Sequence, residues 1–137
     1  MDLYINWLAV ALATLSTVVV GTIWYRPRVF GNRWQALTGA DPNKPKSRAA
    51  AYGGSIVSSL VTAIVLAGAT YMASEHFGTP FLGAALLTAA ALWAGFTATR
   101  ILVHELFESR PIGIWLITAS YELVTVLVMA VIIGLLK

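Results

Sequence analysis

The sequence predicts an all-α, polytopic integral membrane protein whose four transmembrane helices form a compact bundle. Hydrophobic residues make up 58% of the 137-residue chain and charged residues 11%, a balance too apolar for a small water-soluble domain. Four apolar stretches are each long enough for a transmembrane helix, which needs about 20 residues. The lysines and arginines are concentrated in two of the connections between these stretches. We therefore expect residues 1–137 to form a single four-helix transmembrane domain.

Local signals set the ends of the four predicted helices, which occupy about residues 3–25, 49–74, 78–107 and 111–136. Pro27 ends the first helix, because a proline ring removes a backbone donor and disfavours helix in the preceding residue. A turn-rich segment at 41–46 precedes the second helix, and Pro111 marks the start of the fourth. The acidic start Met1-Asp2 and the length of the first stretch favour a retained helix over a cleaved secretory signal.

The distribution of positive charge predicts the orientation in the membrane. Six of the nine lysines and arginines lie in the first connection, residues 26–48, and two lie in the third, residues 100–110. The second connection has none, and Lys137 is the remaining cation. Because translocation of Lys and Arg is disfavoured, we expect both basic connections in the cytoplasm and both termini outside. The net charge of +3 then reflects orientation and contact with anionic membrane lipids, and we exclude nucleic acid as a partner.

The first connection begins with a segment suited to the membrane surface. Trp24 and Tyr25 stand at the end of the first helix, Phe30 and Trp34 follow at helical spacing, and Gly39 then ends the pattern. This pattern predicts a short interfacial helix after the first span, with Trp24, Tyr25, Phe30 and Trp34 as interfacial anchors. The alternative is a docking surface for a partner or a lipid headgroup.

The same region carries a family resemblance. Its motifs are Ile5-Asn6-Trp7-Leu8-Ala9-Val10, Gly21-Thr22-Ile23-Trp24-Tyr25, Pro27, Phe30-Gly31 and Trp34. With these motifs and its four helices, the chain resembles the domain of unknown function 1761 family of small bacterial membrane proteins. Arg26 departs from the small residue expected between the tyrosine and the proline. The resemblance implies a multi-pass protein of the bacterial cytoplasmic (inner) membrane and implies no particular activity.

Charged residues inside the predicted spans are candidate functional residues, since each is costly in a membrane unless it is paired or faces a cavity. Arg100, His104 and Glu108 recur at i, i+4 and i+8 and therefore share one face of the third helix. Glu122 lies about 16 Å into the fourth helix, near the bilayer centre. We predict an intramembrane polar cluster of these four residues, in which Arg100 pairs with Glu122. Without that pair, an acid in apolar surroundings is protonated at neutral pH.

Hydroxyl side chains on the second and fourth helices are candidates for the lining of a cavity in the same region: Ser55, Ser59, Thr62, Thr118 and Thr125. Within each helix they recur at spacings that place them on one face. The alternative reading is structural, because small polar residues also hold transmembrane helices together. In the same way, a ladder of ion pairs is the structural alternative for Arg100, His104 and Glu108.

The sequence contains no recognisable catalytic or cofactor motif. The absence of cysteine removes thiolate metal sites and cysteine nucleophiles. The segment His104-Glu105-Leu106-Phe107-Glu108 lacks the second histidine of a zinc-protease helix. His76 belongs to the external connection, on the far side of the bilayer from His104. We therefore expect no metal, no cofactor and no enzymatic activity.

Two function classes are compatible with these residues. The first is a non-enzymatic scaffold or accessory subunit that associates with itself, with lipid or with a larger membrane complex. The second is a small proton-linked transporter or ligand-binding protein that uses Glu122 and Arg100. The first is preferred on sequence grounds, because a site for a drug-sized ligand needs about 300 Å³ or more and four short helices enclose little space.

Overall fold

The computed structural model describes residues 2–137. It is 82% helical and has no strand in that range, which confirms the all-α prediction. The helices are α1 (Trp7–Trp24), α2 (Asn32–Thr38), α3 (Arg48–Phe77), α4 (Phe81–Phe107) and α5 (Ile112–Leu135). Four of them, α1, α3, α4 and α5, contain 18 to 30 residues and are apolar and long enough to cross a membrane.

Side-chain caps set the first residue of α1 and of α3. The Asn6 side chain accepts hydrogen bonds from the backbone amides of Leu8 and Ala9, at 3.1 and 3.2 Å, so α1 begins at Trp7 and not at residue 3. Ser47 caps α3 by accepting from the amide of Ala50 at 3.1 Å. Such caps satisfy amides that have no partner within the helix.

The four long helices form an antiparallel bundle in which α5 packs against α1 and α4, and α3 packs against α1 and α4. The core between them is built largely from small side chains, including Ala9, Ala13, Ala63, Ala85 and Ala130. Small residues let helix backbones approach closely, which is how helices associate in lipid. The backbones of α4 and α5 approach closely at Gly134, where a Cβ would lie 2.8 Å from the Cα of Leu82.

The basic connections lie at the same end of the bundle. The Trp24 indole, at the end of α1, donates to the carbonyl of Ile117 near the start of α5, and at the far end the Asn6 amide donates to the carbonyl of Leu136. Residues 26–48 and the turn before Pro111 therefore share one end, which we call the basic end. Asn6 and Leu136, near the two ends of the chain, share the opposite end with the turn at Gly78.

The N-terminal half of α3 diverges from the bundle. All of the buried residues of α3 lie between Ala63 and Ser74, whereas residues 48–62 are exposed or half-buried. Contacts between α3 and α5 are correspondingly sparse. The divergence leaves a space between α3, α1 and α5 toward the basic end.

The segment after α1 folds as a π-helical turn, Pro27–Gly31, that continues into α2 and ends at Gly39 with a φ of 74°. The short helix predicted after the first span is therefore present. The turn brings the Phe30 ring onto Trp24, with ring centroids 4.6 Å apart. Gly31 is required here by close approach, because a Cβ at this position would lie 2.3 Å from the carbonyl oxygen of Tyr25.

Two tryptophans join α4 to α5. The Trp93 indole donates to the carbonyl of Ala119 at 2.9 Å, and the Trp115 indole donates to the carbonyl of Ala98 at 2.9 Å. Trp93 and Ala98 are the first and last residues of a π-helical segment within α4. Such segments depart from the α-helical hydrogen-bond pattern, and each carbonyl has a second lone pair that can accept from an indole.

Replacement of Gly31 by alanine is expected to open the turn after α1. The new Cβ would overlap backbone atoms of Tyr25 and Arg26, so the free energy of unfolding should fall by about 1–3 kcal/mol. Unfolding in mixed SDS and detergent micelles measures the change. Gly53→Ala is the matched control, because nothing lies within 4 Å of a Cβ there. Equal losses in the two variants would contradict the close approach.

Replacement of Trp93 by phenylalanine is expected to weaken the contact between α4 and α5. The phenyl ring keeps most of the apolar surface and removes the donor to Ala119, which should cost about 0.6–1 kcal/mol. The same unfolding titration checks this value. Trp7→Phe serves as control, because Trp7 is 61% exposed. A loss of stability no larger than that of the control would show that the indole bond contributes nothing.

Candidate functional site

A polar cavity occupies the space between α1, α3 and α5, and its volume is about 410 Å³. It exists because the N-terminal half of α3 diverges from the other helices. Its polar lining consists of the Glu122 carboxyl group and the hydroxyls of Thr17, Ser55, Ser58, Ser59, Thr62, Tyr121 and Thr125. We call this space the Glu122 cavity.

Glu122 is the one residue with an ionisable carboxyl group in the lining of this cavity. It lies ten residues after the start of α5, which is about 15 Å along the helix. The two ion pairs found within residues 2–137 both involve Arg110, so the half-buried Glu122 carboxyl has no basic partner there. An acid at this depth is stable when it is protonated or when a cation lies beside it.

Hydroxyl groups hold α1 and α3 together at the inner wall of the cavity. The oxygens of Thr17 and Ser59 are 3.0 Å apart. Because the Thr17 hydroxyl also donates to the carbonyl of Thr14 at 2.7 Å, the Ser59 hydroxyl is the donor between the two helices. On the other walls, Thr62 donates to the carbonyl of Ser58 and Thr125 to the carbonyl of Tyr121. The oxygens of Thr62 and Thr125 thus remain able to accept a hydrogen bond from a molecule in the cavity.

A second cavity continues from the first toward the basic end. Its volume is about 360 Å³. The two share Thr17, Ala51, Ser55, Ser59 and Tyr121 in their linings. The outer cavity is also lined by Tyr25 and Tyr52 and by loop residues Pro42, Asn43 and Pro45. The two cavities are therefore adjacent and together reach from the loop before α3 to Glu122, with Tyr25, Tyr52 and Tyr121 in their linings.

The structure places most of the predicted hydroxyl residues at the Glu122 cavity. Four of the five hydroxyl candidates, Ser55, Ser59, Thr62 and Thr125, line the Glu122 cavity. Thr118 does not, and its buried hydroxyl has no hydrogen-bond partner within the residues described. Ser58 and Tyr121 belong to the lining but were not selected from the sequence. Tyr121 could have been identified as a lining residue because it directly precedes Glu122 and its aromatic ring carries a polar hydroxyl.

The predicted cluster of Arg100, His104 and Glu108 with Glu122 does not assemble in the structure. Arg100 and His104 share a face of α4 as expected, Glu108 follows directly after the end of the helix, and all three residues are exposed. No ion pair joins Arg100 to Glu122 in residues 2–137. The reason lies in the packing of α4. Buried Ala98 faces α5, and a residue two positions later points in nearly the opposite direction on an α-helix. Arg100 is therefore directed away from the bundle.

The buried acid of α4 is Glu105, seven positions after Ala98 and on the same helix face. Its side chain pairs with Arg110 at 3.1 Å, and Arg110 also lies 3.6 Å from Glu108. Ser109 holds a left-handed conformation, with a φ of 54°, in the turn that brings Arg110 back to Glu105. This ion pair fixes the connection between α4 and α5 and lies outside the Glu122 cavity.

The aromatic residues predicted as interfacial anchors form one cluster at the basic end. Trp24 stacks on Phe30, and the Tyr25 ring lies 5.6 Å from Trp34 and 5.2 Å from Tyr121. All four predicted anchors are half-buried. The cluster attaches the turn after α1 to α5, in addition to any contact with the membrane surface.

Within residues 2–137, no group of three or more His, Asp or Glu side chains is arranged to hold a metal ion. His104 is exposed on α4, and His76 lies against Phe77 at the opposite end of the bundle. The two histidines are thus far apart in the fold.

Comparison with known protein families identifies the family of this chain. The family described as "Protein of unknown function (DUF1761)" matches residues 8–134, nearly the whole chain. No curated protein matches the chain, and no solved structure does. The matched region contains all four long helices, apart from the first and last residues of the bundle, and it includes every residue that lines the Glu122 cavity. The chain therefore belongs to the DUF1761 family of proteins of unknown function.

Proposed function

We propose that this protein binds a small cationic molecule in the Glu122 cavity and exchanges it for a proton on Glu122, as a proton-linked transporter or ligand-binding protein. The observation that supports this proposal is an unpaired carboxyl group in a polar cavity at membrane depth. A bound cation and a bound proton are the two ways to neutralise such an acid. Binding of one therefore releases the other.

The size of the cavity supports ligand binding over the scaffold that sequence reasoning preferred. Small-molecule sites have volumes of about 300–1,000 Å³. The Glu122 cavity has about 410 Å³, and the cavity that adjoins it adds about 360 Å³. Both volumes lie within that range, which supports a ligand site.

The chemistry of the lining favours an organic cation. Glu122 provides the negative charge, and hydroxyl oxygens of Thr62 and Thr125 are available as acceptors. The rings of Tyr25 and Tyr121 line the outer part of the space, where aromatic faces attract ammonium groups. Arg100, predicted from the sequence to pair with Glu122, is exposed on α4 and has no part in the proposed site.

We further propose that the basic end faces the cytoplasm and that both termini lie outside the bacterial inner membrane. This proposal is supported by the distribution of Lys and Arg, because eight of the nine lie in residues 26–48 and 100–110. Such residues are retained on the cytoplasmic side. The outer cavity then opens toward the cytoplasm, past Pro42, Asn43 and Pro45.

Self-association is a second candidate function, favoured by the exposed half of α3. Gly53 and Gly54 have open space around them, and the Ser55 and Ser58 side chains are exposed. Hydroxyls that face lipid are costly, and small residues permit close helix contact. A second copy of the chain, or a larger membrane complex, would cover this face. That association is compatible with ligand binding. The same face of α3 borders the Glu122 cavity, so a second copy would form a further wall of the cavity.

Choline is expected to bind to the protein in nanodiscs, and the neutral molecule of the same shape, 3,3-dimethylbutanol, is not. Glu122→Gln should weaken choline binding about tenfold or more, because it removes the charge and preserves the shape. Binding to the native chain should weaken as the pH falls, since protons then compete for the carboxylate. Equilibrium dialysis with labelled choline at several pH values measures both effects.

Glu108→Gln is the matched control for this experiment. Glu108 is exposed in the turn after α4 and does not line the cavity, so its loss should leave choline binding unchanged. Equal binding of choline to the Glu122→Gln variant and to the native chain at every pH would contradict the proposed function. Equal binding of choline and 3,3-dimethylbutanol would contradict the role of charge.

Gly53→Leu is expected to shift the protein from oligomer to monomer, because a large side chain would separate two copies packed along α3. Native mass spectrometry in mild detergent reports the copy number. Gly95→Leu is the control, as Gly95 is also exposed with open space around it, but on α4. A monomeric native chain, or an oligomer that both variants retain equally, would contradict self-association through α3.

A further inference from the structure

We propose that an anionic phospholipid of the cytoplasmic leaflet binds in a groove at the basic end, with its phosphate on Arg33 and an acyl chain along α5. The groove is lined by Trp24, Phe30, Arg33, Leu116, Ile117 and Ser120, together with Gly113, and its volume is about 310 Å³. We call it the Arg33 groove. It shares no lining residue with the Glu122 cavity, and the proposal does not depend on the function proposed for that cavity.

Arg33 provides the positive charge at one end of the groove. Its Nη2 atom lies 3.9 Å from the position that a Cβ of residue 113 would occupy, so the guanidinium lies over the first turn of α5. The side chain is exposed, and neither of the ion pairs found in residues 2–137 includes it. A planar guanidinium with free donors matches the oxygens of a phosphate.

The walls beyond Arg33 are apolar. The rings of Trp24 and Phe30 are stacked with centroids 4.6 Å apart, and the Trp24 indole nitrogen already donates to the carbonyl of Ile117. The indole therefore presents carbon to the groove. Leu116, on the opposite wall, is 52% exposed. Such walls suit a hydrocarbon chain, and a small hydrophilic anion would leave them without a partner.

The direction of the groove matches that of a lipid in a bilayer. Gly113 and Ser120 are separated by seven residues of α5, about 10 Å along the helix. The charged end lies at the basic end of the bundle, and the apolar end lies deeper in the membrane. The cytoplasmic leaflet carries anionic lipids that attract Lys and Arg near its surface. Position, polarity and charge thus favour a phospholipid over a free phosphate.

Native mass spectrometry of delipidated protein tests this proposal, with phosphatidylglycerol and phosphatidylcholine of identical chains as probes. We expect the native chain to prefer phosphatidylglycerol by about fivefold, the value of one arginine near an anionic headgroup. Arg33→Gln should abolish that preference. Arg28→Gln should retain it, because Arg28 is also exposed, in the turn that precedes α2, but lies outside the groove.

Two further measurements separate the groove from general surface charge. Ser120→Trp should weaken the binding of both lipids, because the indole would obstruct the end of the groove that holds the acyl chain. The preference for phosphatidylglycerol should remain. Inorganic phosphate at millimolar concentration should not displace phosphatidylglycerol. The proposal is overturned if the native chain shows no preference, if Arg28→Gln removes the preference as fully as Arg33→Gln, or if Ser120→Trp has no effect. Displacement by inorganic phosphate would identify a simple anion site and overturn the lipid assignment.

Discussion

Hydrogen bonds from tryptophan indoles to backbone carbonyls are the interaction on which the arrangement of this bundle depends. Between helices in lipid the hydrophobic effect offers little attraction, so packing and hydrogen bonds determine which helices associate. Trp24 ties α1 to α5, and Trp93 and Trp115 tie α4 to α5. In the described residues, α3 has no such bond to α5. It is held to α1 by small-residue packing and by the pair of Thr17 and Ser59, and its N-terminal half diverges.

The cavity is a direct consequence of that unequal bonding. If α3 followed the other helices along its whole length, Ser55, Ser59 and Thr62 would meet α5, and little space would remain beside Glu122. The divergence instead leaves hydroxyls and one acid around a polar space in a region where polar groups are costly. The basic end combines this space with a separate groove that ends at Arg33. The two sites have opposite charge and lie on different sides of α5.

The fold was largely predictable from sequence, because the length and apolar composition of the four stretches predict the long helices. Pro27 and Pro111 mark helix ends locally. The faces of α3 and α5 were also predictable, since 3.6-residue spacing places Ser55, Ser59 and Thr62 together. Which face of α4 points toward α5 was not predictable. It depends on carbonyls of Ala98 and Ala119 that accept from indoles, and any residue type supplies a carbonyl. The pairing of Arg100 with Glu122 was therefore predicted from depth alone, and the inward position of Glu105 was missed.

The π-helical segment Trp93–Ala98 has a consequence for how this chain tolerates changes in length. A π turn accommodates one more residue than an α turn over a similar rise, and each residue rotates a helix by about 100°. Loss of a single residue from the segment would restore a regular α-helix and leave the residues after it on the same faces. Glu105 would then still face α5. A one-residue deletion in this segment would thus be absorbed, whereas a one-residue deletion in a regular α-helical part of α4 would turn every later residue by about 100°.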